Sequence, residues 1–434
     1  MITKDKLLGI LNDWNFWKKD LETGIERKLY LEKMERYFKM ELIVSLVGLR
    51  RSGKSTLMQQ FMKKLVSEKK AAKNDILYVN FEDSRFVGEY SLDLLNNIYE
   101  VYLENLRPQK TPVIFLDEIQ NIDGWEKFVN SLSERKKAKI FVSGSSAHLL
   151  SSEFSSVLTG RQLSLIVYPL TFEEFLLFND IRVGDKLDFA NQKNKIRKLF
   201  SDYARYGGMP KPSLLKQKND KETLLRNYLE DILTRDLIER FKIRQTEKLK
   251  VLTKFYLMHI SSLISYNKVK KFLKIPLTTV ERFSGYLTYP FLIYFVNKFA
   301  FSLKEQTVSP RKVYAADLGM RNAVTFGGDE GRVLENLAFL RLIQSQKEVF
   351  YYKTKNNLEV DFLALKERKK QLIQVALTLK NFATKDREIN ALKTAMKELK
   401  LKNGLILTKD KEGELKFDGK TITVQPLYRW LLGK

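Results

Sequence analysis

A glycine-rich segment at residues 48–55 constrains the fold of this chain more than any other feature. It reads Gly-Leu-Arg-Arg-Ser-Gly-Lys-Ser and fits the P-loop template GxxxxGK(S/T). The apolar run Ile43–Val47 precedes it, and the helix-favouring stretch Thr56–Lys69 follows it. Because the template requires this strand–loop–helix order, the segment predicts a parallel α/β sheet with a phosphate-binding loop.

Each fixed position of the loop has a physical role. Gly48 and Gly53 let the backbone bend so that successive N–H groups point at phosphate oxygens, next to a helix N-terminus. We expect Lys54 to reach the β- and γ-phosphates and the Ser55 hydroxyl to ligate Mg²⁺. The predicted nucleotide contacts are Gly48, Arg51, Ser52, Gly53, Lys54, Ser55, Thr56 and, from a later strand, Ser143.

An acidic pair downstream completes the predicted site. The apolar run Val113–Leu116 ends in Asp117 and Glu118. We assign Asp117 to holding Mg²⁺ and Glu118 to orienting or deprotonating the attacking water. Ser143 ends the next apolar run and is placed to sense the γ-phosphate, although an ordinary Ser/Gly turn explains it equally well. Together these motifs predict hydrolysis of ATP or GTP.

The composition excludes several kinds of site. There is no Cys, and the two His residues are His148 and His259. Disulfides, Cys–zinc sites, iron–sulfur clusters and thiol catalysis are therefore excluded, and a His-built metal centre is not expected. No apolar stretch reaches the roughly 20 residues that a membrane helix needs, so we expect no membrane partner and a cytoplasmic location.

The net charge points to a polyanionic partner. Lys and Arg number 77 against 52 Asp and Glu, a formal net charge of +25. Such an excess suits DNA, although a solvated, self-repelling surface gives the same count.

The ordered motifs resemble the archaeal-type AAA+/STAND P-loop ATPases, whose C-terminal domain is related to PD-(D/E)xK nucleases. The resemblance covers about residues 20 to 410. Besides the loop and the acidic pair it rests on Ser-Gly-Ser-Ser (143–146), Leu-Thr-Gly-Arg (158–161), Tyr-Pro-Leu-Thr-Phe-Glu-Glu-Phe (168–175) and Gly-Gly-Met-Pro (207–210). It makes Arg161 a candidate arginine finger or phosphate sensor, and it matches Gly208 and Pro210 to the family's GxP turn.

The resemblance and the residue patterns together predict the fold class and five segments. The fold class is α/β: a P-loop NTPase with a RecA/AAA+-like parallel sheet in additional-strand order, followed by a helical lid, a winged helix and a PD-(D/E)xK-like α/β domain. The segments are a helical lead-in (1–38), the ATPase core (39–170), the lid (171–241), the winged helix (242–325) and the nuclease-like domain (326–434).

The segment 242–312 carries 14 basic residues against three acidic ones. Three short helical stretches and two strand-like runs follow each other there in the order of a winged helix. In that interpretation Thr279, Arg282 and Tyr286 face a DNA groove, and Lys304 lies at the polar tip of the wing. The alternative is a structural winged helix whose basic face is only solvated.

Acidic and amide side chains in the last segment follow the metal-binding pattern of PD-(D/E)xK enzymes. Glu335 lies on a predicted helix, Asp361 on a strand and Gln374 on the next strand. They form a possible second Mg²⁺ site. Such enzymes place a Lys two positions after the third ligand, but this chain has Ala376 there.

The missing cation leaves the nuclease activity open. Lys380 or Arg387 would have to replace it. Otherwise the domain is a degenerate descendant that binds nucleic acid or acts as a scaffold.

The predicted function is a Mg²⁺-dependent, ATP-hydrolysing switch or remodeller that binds DNA. ATP is expected between the P-loop and the lid, and self-association is left open. One alternative is a STAND-type signalling ATPase that acts through protein partners. The other is an ATP-gated, Mg²⁺-dependent DNA nuclease. The sequence does not separate ATP from GTP.

Overall fold

The computed structural model describes residues 2–145, 162–325, 327, 329–367, 369–378 and 382–433. The chain divides into two compact units, residues 1–167 and 168–434. Among the described residues, none of the helices combines the length and the apolar character that crossing a membrane requires.

The first unit is built on a five-stranded parallel sheet in the order β2–β3–β4–β1–β5. Its strands are β1 (Ile43–Val47), β2 (Ile76–Asn80), β3 (Val113–Asp117), β4 (Lys139–Gly144) and β5 (Gln162–Ile166). Strand β4 lies between the P-loop strand and the acidic strand, as additional-strand ATPases require. The predicted α/β P-loop sheet is confirmed.

Helices cover this sheet and share its core. They are α1 (Lys4–Trp14), α2 (Lys28–Phe38), α3 (Lys54–Ser67), α4 (Leu92–Leu106) and α5 (Trp125–Glu134). Phe61 of α3 contacts Phe141 of β4 at a ring-centroid distance of 5.3 Å. Phe141 stacks on Phe115 of β3 at 4.9 Å. This aromatic packing fixes the helix that follows the P-loop against the two strands that carry the polar residues of the site.

The N-terminal segment, predicted as a lead-in, packs into the same core. Leu31 and Met34 of α2 are buried with the sheet residues. The buried side chain of Asn15 accepts a hydrogen bond from the N–H of Tyr78 at 2.7 Å and donates to its C=O at 2.9 Å. Because β2 is an edge strand, this amide satisfies backbone groups that would otherwise be unpaired.

The second unit begins with helices. They are α6 (Phe172–Phe178), α7 (Lys186–Tyr206), α8 (Pro210–Leu214) and α9 (Lys218–Asp231), which continues as a π-helix over Ile232–Glu239. The Gly-Gly-Met-Pro turn separates α7 from α8. A Cβ on Gly208 would lie 2.5 Å from the carbonyl oxygen of Leu170, so only glycine fits there. The N–H of Gly208 donates to the Asp317 carboxylate at 2.7 Å.

A three-helix, three-strand segment follows. It contains α10 (Thr246–Met258), β6 (Ser262–Ile264), α11 (Tyr266–Leu273), α12 (Leu277–Thr288), β7 (Ile293–Val296) and β8 (Arg311–Ala315), with an antiparallel sheet in the order β6–β8–β7. The three helices and the strands β7 and β8 follow the order predicted for a winged helix, whereas β6, between α10 and α11, was not predicted. The winged-helix assignment stays a prediction.

The connection from β7 to β8 differs from the expected polar tip. It forms a short helix, α13 (Leu303–Val308), beside which Phe301 is 90% exposed. Before this helix, the N–H of Phe299 donates to the C=O of Tyr351 at 2.8 Å. The connection is therefore paired to the next sheet through its backbone.

The last part of the second unit is a mixed six-stranded sheet in the order β13–β14–β12–β11–β10–β9. Its elements are α14 (Leu318–Val324), α15 (Glu330–Gln344), β9 (Glu348–Lys353), β10 (Glu359–Lys366), β11 (Lys369–Ala376), α16 (Phe382–Glu398), β12 (Asn403–Thr408), β13 (Gly413–Phe417), β14 (Lys420–Pro426) and α17 (Leu427–Leu431). Leu392 and Met396 of α16 are fully buried against this sheet.

Candidate active site

The loop between β1 and α3 has the backbone geometry that the P-loop motif predicts. Gly48 has φ +146°, and a Cβ on it would lie 2.2 Å from the carbonyl oxygen of Val167. Gly53 has φ +101° and directly precedes α3, a helix of 14 residues. Both positions therefore require glycine, and the turn ends at a helix N-terminus suited to a phosphate group.

The loop side chains separate into buried and exposed groups. Lys54 is 4% exposed, and its Nζ donates to the carbonyl oxygen of Gly48 at 3.1 Å. Arg51 and Thr56 are exposed, and Ser55 is half-buried. Within the described part of the chain, the buried Ser52 Oγ has no hydrogen-bond partner. An ammonium bonded to the loop itself and an unsatisfied hydroxyl fit a site for phosphate oxygens.

Asp117 lies at the end of β3 in a hydrogen-bonded position. The Tyr78 hydroxyl donates to Asp117 Oδ2 at 2.6 Å, and the Ser143 hydroxyl donates to Oδ1. Complete burial raises the pKa of Asp117, and the charge of Glu118 adds to this, while hydrogen bonding from Ser143, Ser55 and Tyr78 works against it. A carboxylate held in this way beside the Ser55 hydroxyl fits the donor set of a Mg²⁺ site.

Glu118 is held differently from its neighbour. Its backbone has φ +54°, and its N–H donates to the Ser143 hydroxyl at 3.1 Å. Its Oε1 lies 3.5 Å from Lys54 Nζ. Burial alone would raise the pKa of Glu118, but the charges of Lys54 and Arg50 lower it overall. Glu118 is therefore an ionised carboxylate at neutral pH, in the form that can accept a hydrogen bond from water.

The structure brings Lys54, Asp117, Glu118 and Ser143 together, as the sequence predicted for one site. Ser143 bridges the two acidic residues through the bonds described above. Sequence reasoning missed Tyr78, because the run Ile76–Asn80 has only the pattern of an ordinary buried strand. Arg161 and Ser146 lie outside the described residues.

Two of the residues predicted to contact DNA are exposed, Arg282 and Lys304. Thr279 is only 7% exposed, so the prediction that its side chain faces a groove is wrong. The reason is its helical register: Thr279, Phe283 and Leu287 are four residues apart and share the buried stripe of α12. Tyr286 stacks on Phe241 with a centroid distance of 4.0 Å.

The predicted second Mg²⁺ site contains an ammonium group instead. Lys312 of β8 is 2% exposed. Its Nζ lies 3.0 Å from Glu335 Oε1, 2.9 Å from Glu359 Oε1 and 2.8 Å from Asp361 Oδ1. Burial opposes the charged form of Lys312, but the surrounding carboxylates outweigh it and raise its pKa well above the ordinary value. The cation that Ala376 fails to provide is supplied by another part of the chain.

The other side chains near this cluster also have hydrogen-bond or ion-pair partners. Gln374 Oε1 accepts the N–H of Asp361 at 3.2 Å, and its Nε2 donates to Glu388. Arg387 pairs with Glu388 at 2.7 Å, while Lys380 lies outside the described residues. Among the described residues, no group of three His, Cys, Asp or Glu side chains is arranged to hold a metal ion. Glu335, Asp361 and Gln374 therefore do not fit the predicted metal site.

Three segments of the chain match known family models. Residues 41–176 match the AAA domain. Residues 197–330 and 330–430 match two domains of unknown function, DUF8612 and DUF4143. The first match covers most of the parallel sheet and the loop described above, so the chain has an AAA-type P-loop domain.

The uncharacterized protein MJ1544 of Methanocaldococcus jannaschii is 35% identical to this chain over 428 residues, which cover 95% of this chain and 93% of that protein. The chain belongs to the MJ1544 family. Besides MJ1544, an uncharacterized protein of Haemophilus influenzae is 29% identical over 363 residues, which cover 82% of this chain and 87% of that protein.

Solved structures are similar at a lower level. The Walker-type ATPase PABY2304 of Pyrococcus abyssi has a TM-score of 0.40 and 14% identity, covering 72% of this chain and 99% of that chain. PCH-2 of C. elegans has a TM-score of 0.28 and 16% identity, covering 48% of this chain and 65% of that chain.

Proposed function

We propose that this protein is a Mg²⁺-dependent ATPase that works as a nucleotide-controlled switch on DNA. The observation that carries the ATPase part is the buried contact of Lys54 with Glu118, beside an Asp117 held by Tyr78 and Ser143. A P-loop followed by a helix N-terminus and flanked by two carboxylates of different pKa provides the groups that phosphoryl transfer needs.

Each residue has a separate task in this proposal. Lys54 exchanges its bonds to the loop carbonyls for the β- and γ-phosphates. Ser55 and Asp117 would hold Mg²⁺, which neutralises phosphate charge when bound. Glu118, kept ionised by Lys54 and Arg50, orients the attacking water and accepts its proton. Ser143 holds the carboxylate of Asp117 and the backbone N–H of Glu118 in place.

The test separates nucleotide binding from hydrolysis. We expect Glu118→Gln to bind ATP about as well as the wild type but to hydrolyse it at least about a hundredfold more slowly, because only the water-activating group is lost. Lys54→Ala should lose both ATP binding and ATP hydrolysis. Lys63→Ala, an exposed lysine on the same helix, is the matched control. A wild-type chain that neither binds nor hydrolyses ATP with Mg²⁺ present would overturn the proposal.

The proposed DNA surface consists of exposed lysines on and after α11. Among the described residues they have no carboxylate partner: Lys268, Lys270, Lys271 and Lys274. Arg282 on α12 is exposed as well. Unpaired cations gathered in a short segment favour contact with phosphates, because binding releases the counterions of the DNA.

A salt titration tests this part. Duplex DNA should bind with an affinity that falls steeply as ionic strength rises, and the double variant Lys270→Gln/Lys271→Gln should make the slope shallower by about two. Lys211→Gln/Lys216→Gln, two lysines after the Gly-Gly-Met-Pro turn, is the charge-matched control. No binding to any form of DNA would favour the signalling ATPase that acts through protein partners.

The ammonium of Lys312 argues against the nuclease alternative. It forms ion pairs with Glu335, Glu359 and Asp361, and the nuclease interpretation assigns Glu335 and Asp361 to a metal ion. We therefore expect no Mg²⁺-dependent cutting of single-stranded, duplex or branched DNA. Cutting that Asp361→Ala abolishes would show that a metal displaces the lysine.

A further inference from the structure

A pocket with a volume of about 790 Å³ lies within the second unit. Its walls come from α7, α9, α14 and α15, with Lys409 following β12. Pockets for small organic ligands have volumes of about 300–1,000 Å³. The ATPase chemistry proposed above uses none of its residues.

Arg321 is a buried charge in the wall of this pocket. It is 2% exposed; its Nε donates to the carbonyl oxygen of Leu257 at 3.2 Å and its Nη1 to Asn322 Oδ1 at 2.7 Å. Both acceptors are neutral, and no described carboxylate forms an ion pair with it. A buried guanidinium without a counter-ion is costly, so the site favours an anion that would pair with it.

Tyr206 provides a second, independent sign of a ligand site. Its side chain lines the same pocket and is 4% exposed. Its hydroxyl is buried and has no hydrogen-bond partner within the part of the chain that the structure describes. A buried hydroxyl without a partner has lost its bonds to water and gained none in return, so a ligand oxygen would satisfy it.

The charges around the pocket set the charge of the ligand. Four basic side chains line it against two acidic ones: Arg205, Arg226, Arg321 and Lys409 against Glu222 and Glu330. Arg205 pairs with Glu222 at 3.2 Å, and Lys409 pairs with Glu330 at 2.5 Å. Among the described residues, neither Arg226 nor Arg321 forms an ion pair with a carboxylate, although the charge of Asp329 acts on Arg321. Two guanidinium groups without an ion pair match the charge of a dianion.

Much of the remaining wall is apolar, with Ser201, Asn322 and Thr325 as uncharged polar residues. The larger apolar side chains are Phe200, Leu225, Val324, Val333 and Leu334. A free inorganic anion would leave this surface unused, whereas the organic part of a larger ligand would bury it.

We propose that this pocket binds a small organic phosphate monoester, with Arg321 and Arg226 pairing with the phosphate and the Tyr206 hydroxyl donating to it. The organic part lies against the apolar wall. Arg226 is exposed and already near the opening, where its guanidinium donates to the carbonyl oxygen of Ala323 at 3.4 Å.

Calorimetric titration of the full chain tests the proposal with three probes: AMP, inorganic phosphate and adenosine. All titrations use the Lys54→Ala background as well as the wild type, so that binding at the P-loop is not counted. AMP should bind to one site in both backgrounds, phosphate more weakly, and adenosine weakest. Failure of the proposed ATPase would leave this result unchanged, because the Lys54→Ala background already lacks the P-loop lysine.

Two conservative variants locate the site. Tyr206→Phe and Arg226→Gln should each weaken AMP binding about tenfold, the loss expected for one hydrogen bond to a charged group. Lys198→Gln, which removes an exposed charge of α7 outside the pocket, should leave it unchanged. Without ligand, Tyr206→Phe should be at least as stable as the wild type, since the variant removes a buried hydroxyl that has no partner in the described part of the chain. This measurement separates a binding role from a structural one.

Three results would overturn the proposal. One is the absence of saturable binding of AMP and phosphate in the Lys54→Ala background. Another is AMP binding that neither Tyr206→Phe nor Arg226→Gln weakens. The third is adenosine binding as tightly as AMP, which would make the pocket an apolar site without preference for phosphate.

Discussion

Asp317 is a single residue that connects two turns of the second unit. Its buried carboxylate accepts the N–H of Gly208 at 2.7 Å and that of Met320 at 3.0 Å. Burial raises its pKa from 3.8 to about 6, although these backbone bonds work against the shift. The folded state therefore holds this proton more tightly than the unfolded state does.

The raised pKa of Asp317 sets the direction in which stability changes with pH. A raised carboxyl pKa stabilises the folded state fully below the unfolded value, and that contribution disappears as the pH rises towards about 6. From this residue alone, the free energy of unfolding should fall by about 2 kcal/mol between pH 4 and 7. Asp317→Asn should remove that part of the slope in denaturant titrations at several pH values. Identical slopes for both proteins would contradict the assigned pKa.

Tyr78 is the residue of the candidate active site that only the structure identified. Its hydroxyl lowers the pKa of Asp117, so Tyr78→Phe should raise that pKa further and weaken Mg²⁺ binding. We expect ATP hydrolysis about tenfold slower at low Mg²⁺, with partial recovery at high Mg²⁺. Tyr99→Phe, a half-buried tyrosine of α4, is the control. A rate loss that is independent of Mg²⁺ would contradict this role.

At the scale of helices and strands, the degree of burial decided which strands could be predicted from the sequence. Strands β1 and β3 are buried on both faces, so they appear as continuous apolar runs and were predicted directly. Strand β5 is a half-exposed edge strand in which only Leu165 is buried, and its pattern was missed. The P-loop was predictable because a local motif fixes both its backbone and its chemistry.

Lys312 shows why contacts between residues that are distant in sequence could not be predicted. In the sequence it is one lysine in a strongly basic segment, where an exposed position is the ordinary expectation. Its burial follows only from the carboxylates of α15 and β10, which are distant in sequence. The prediction for Thr279 is also wrong. This polar residue of the predicted recognition helix was expected to face a groove, but it is buried because of the helical register of α12.

The contact between β8 and the C-terminal sheet can be tested with a variant of Lys312. Lys312→Met removes the ammonium and leaves Glu335, Glu359 and Asp361 close together without a cation. Breaking a buried ion pair from one side costs about 3–5 kcal/mol, so denaturant unfolding should show a loss of that size. Lys304→Met, an exposed lysine of α13, should change stability by less than about 0.5 kcal/mol. A small effect of Lys312→Met would mean that the carboxylates are neutralised by protonation.

At the scale of the whole molecule, the two units have separate cores. One is formed by the sheet and helices around Phe115 and Phe141, and another by β10, β11, β12 and α16. The proposed ATP site lies in the first unit and the proposed phosphate-monoester pocket in the second. Because a ligand stabilises the unit that binds it, the two sites should be distinguishable by their effects on thermal unfolding.

Calorimetric scans of the full chain should therefore show ATP with Mg²⁺ raising the unfolding temperature of one transition more than the other. At about a hundred times the dissociation constant, a ligand adds about 2.7 kcal/mol to the stability of its unit. Lys54→Ala should remove the effect of ATP and leave that of AMP. Arg226→Gln should leave the effect of ATP and reduce that of AMP to about half, as a tenfold loss of affinity implies. Equal shifts of the whole profile would mean that the units unfold together. In that case the variants alone would still assign each ligand to its site, because Lys54 and Arg226 belong to different units.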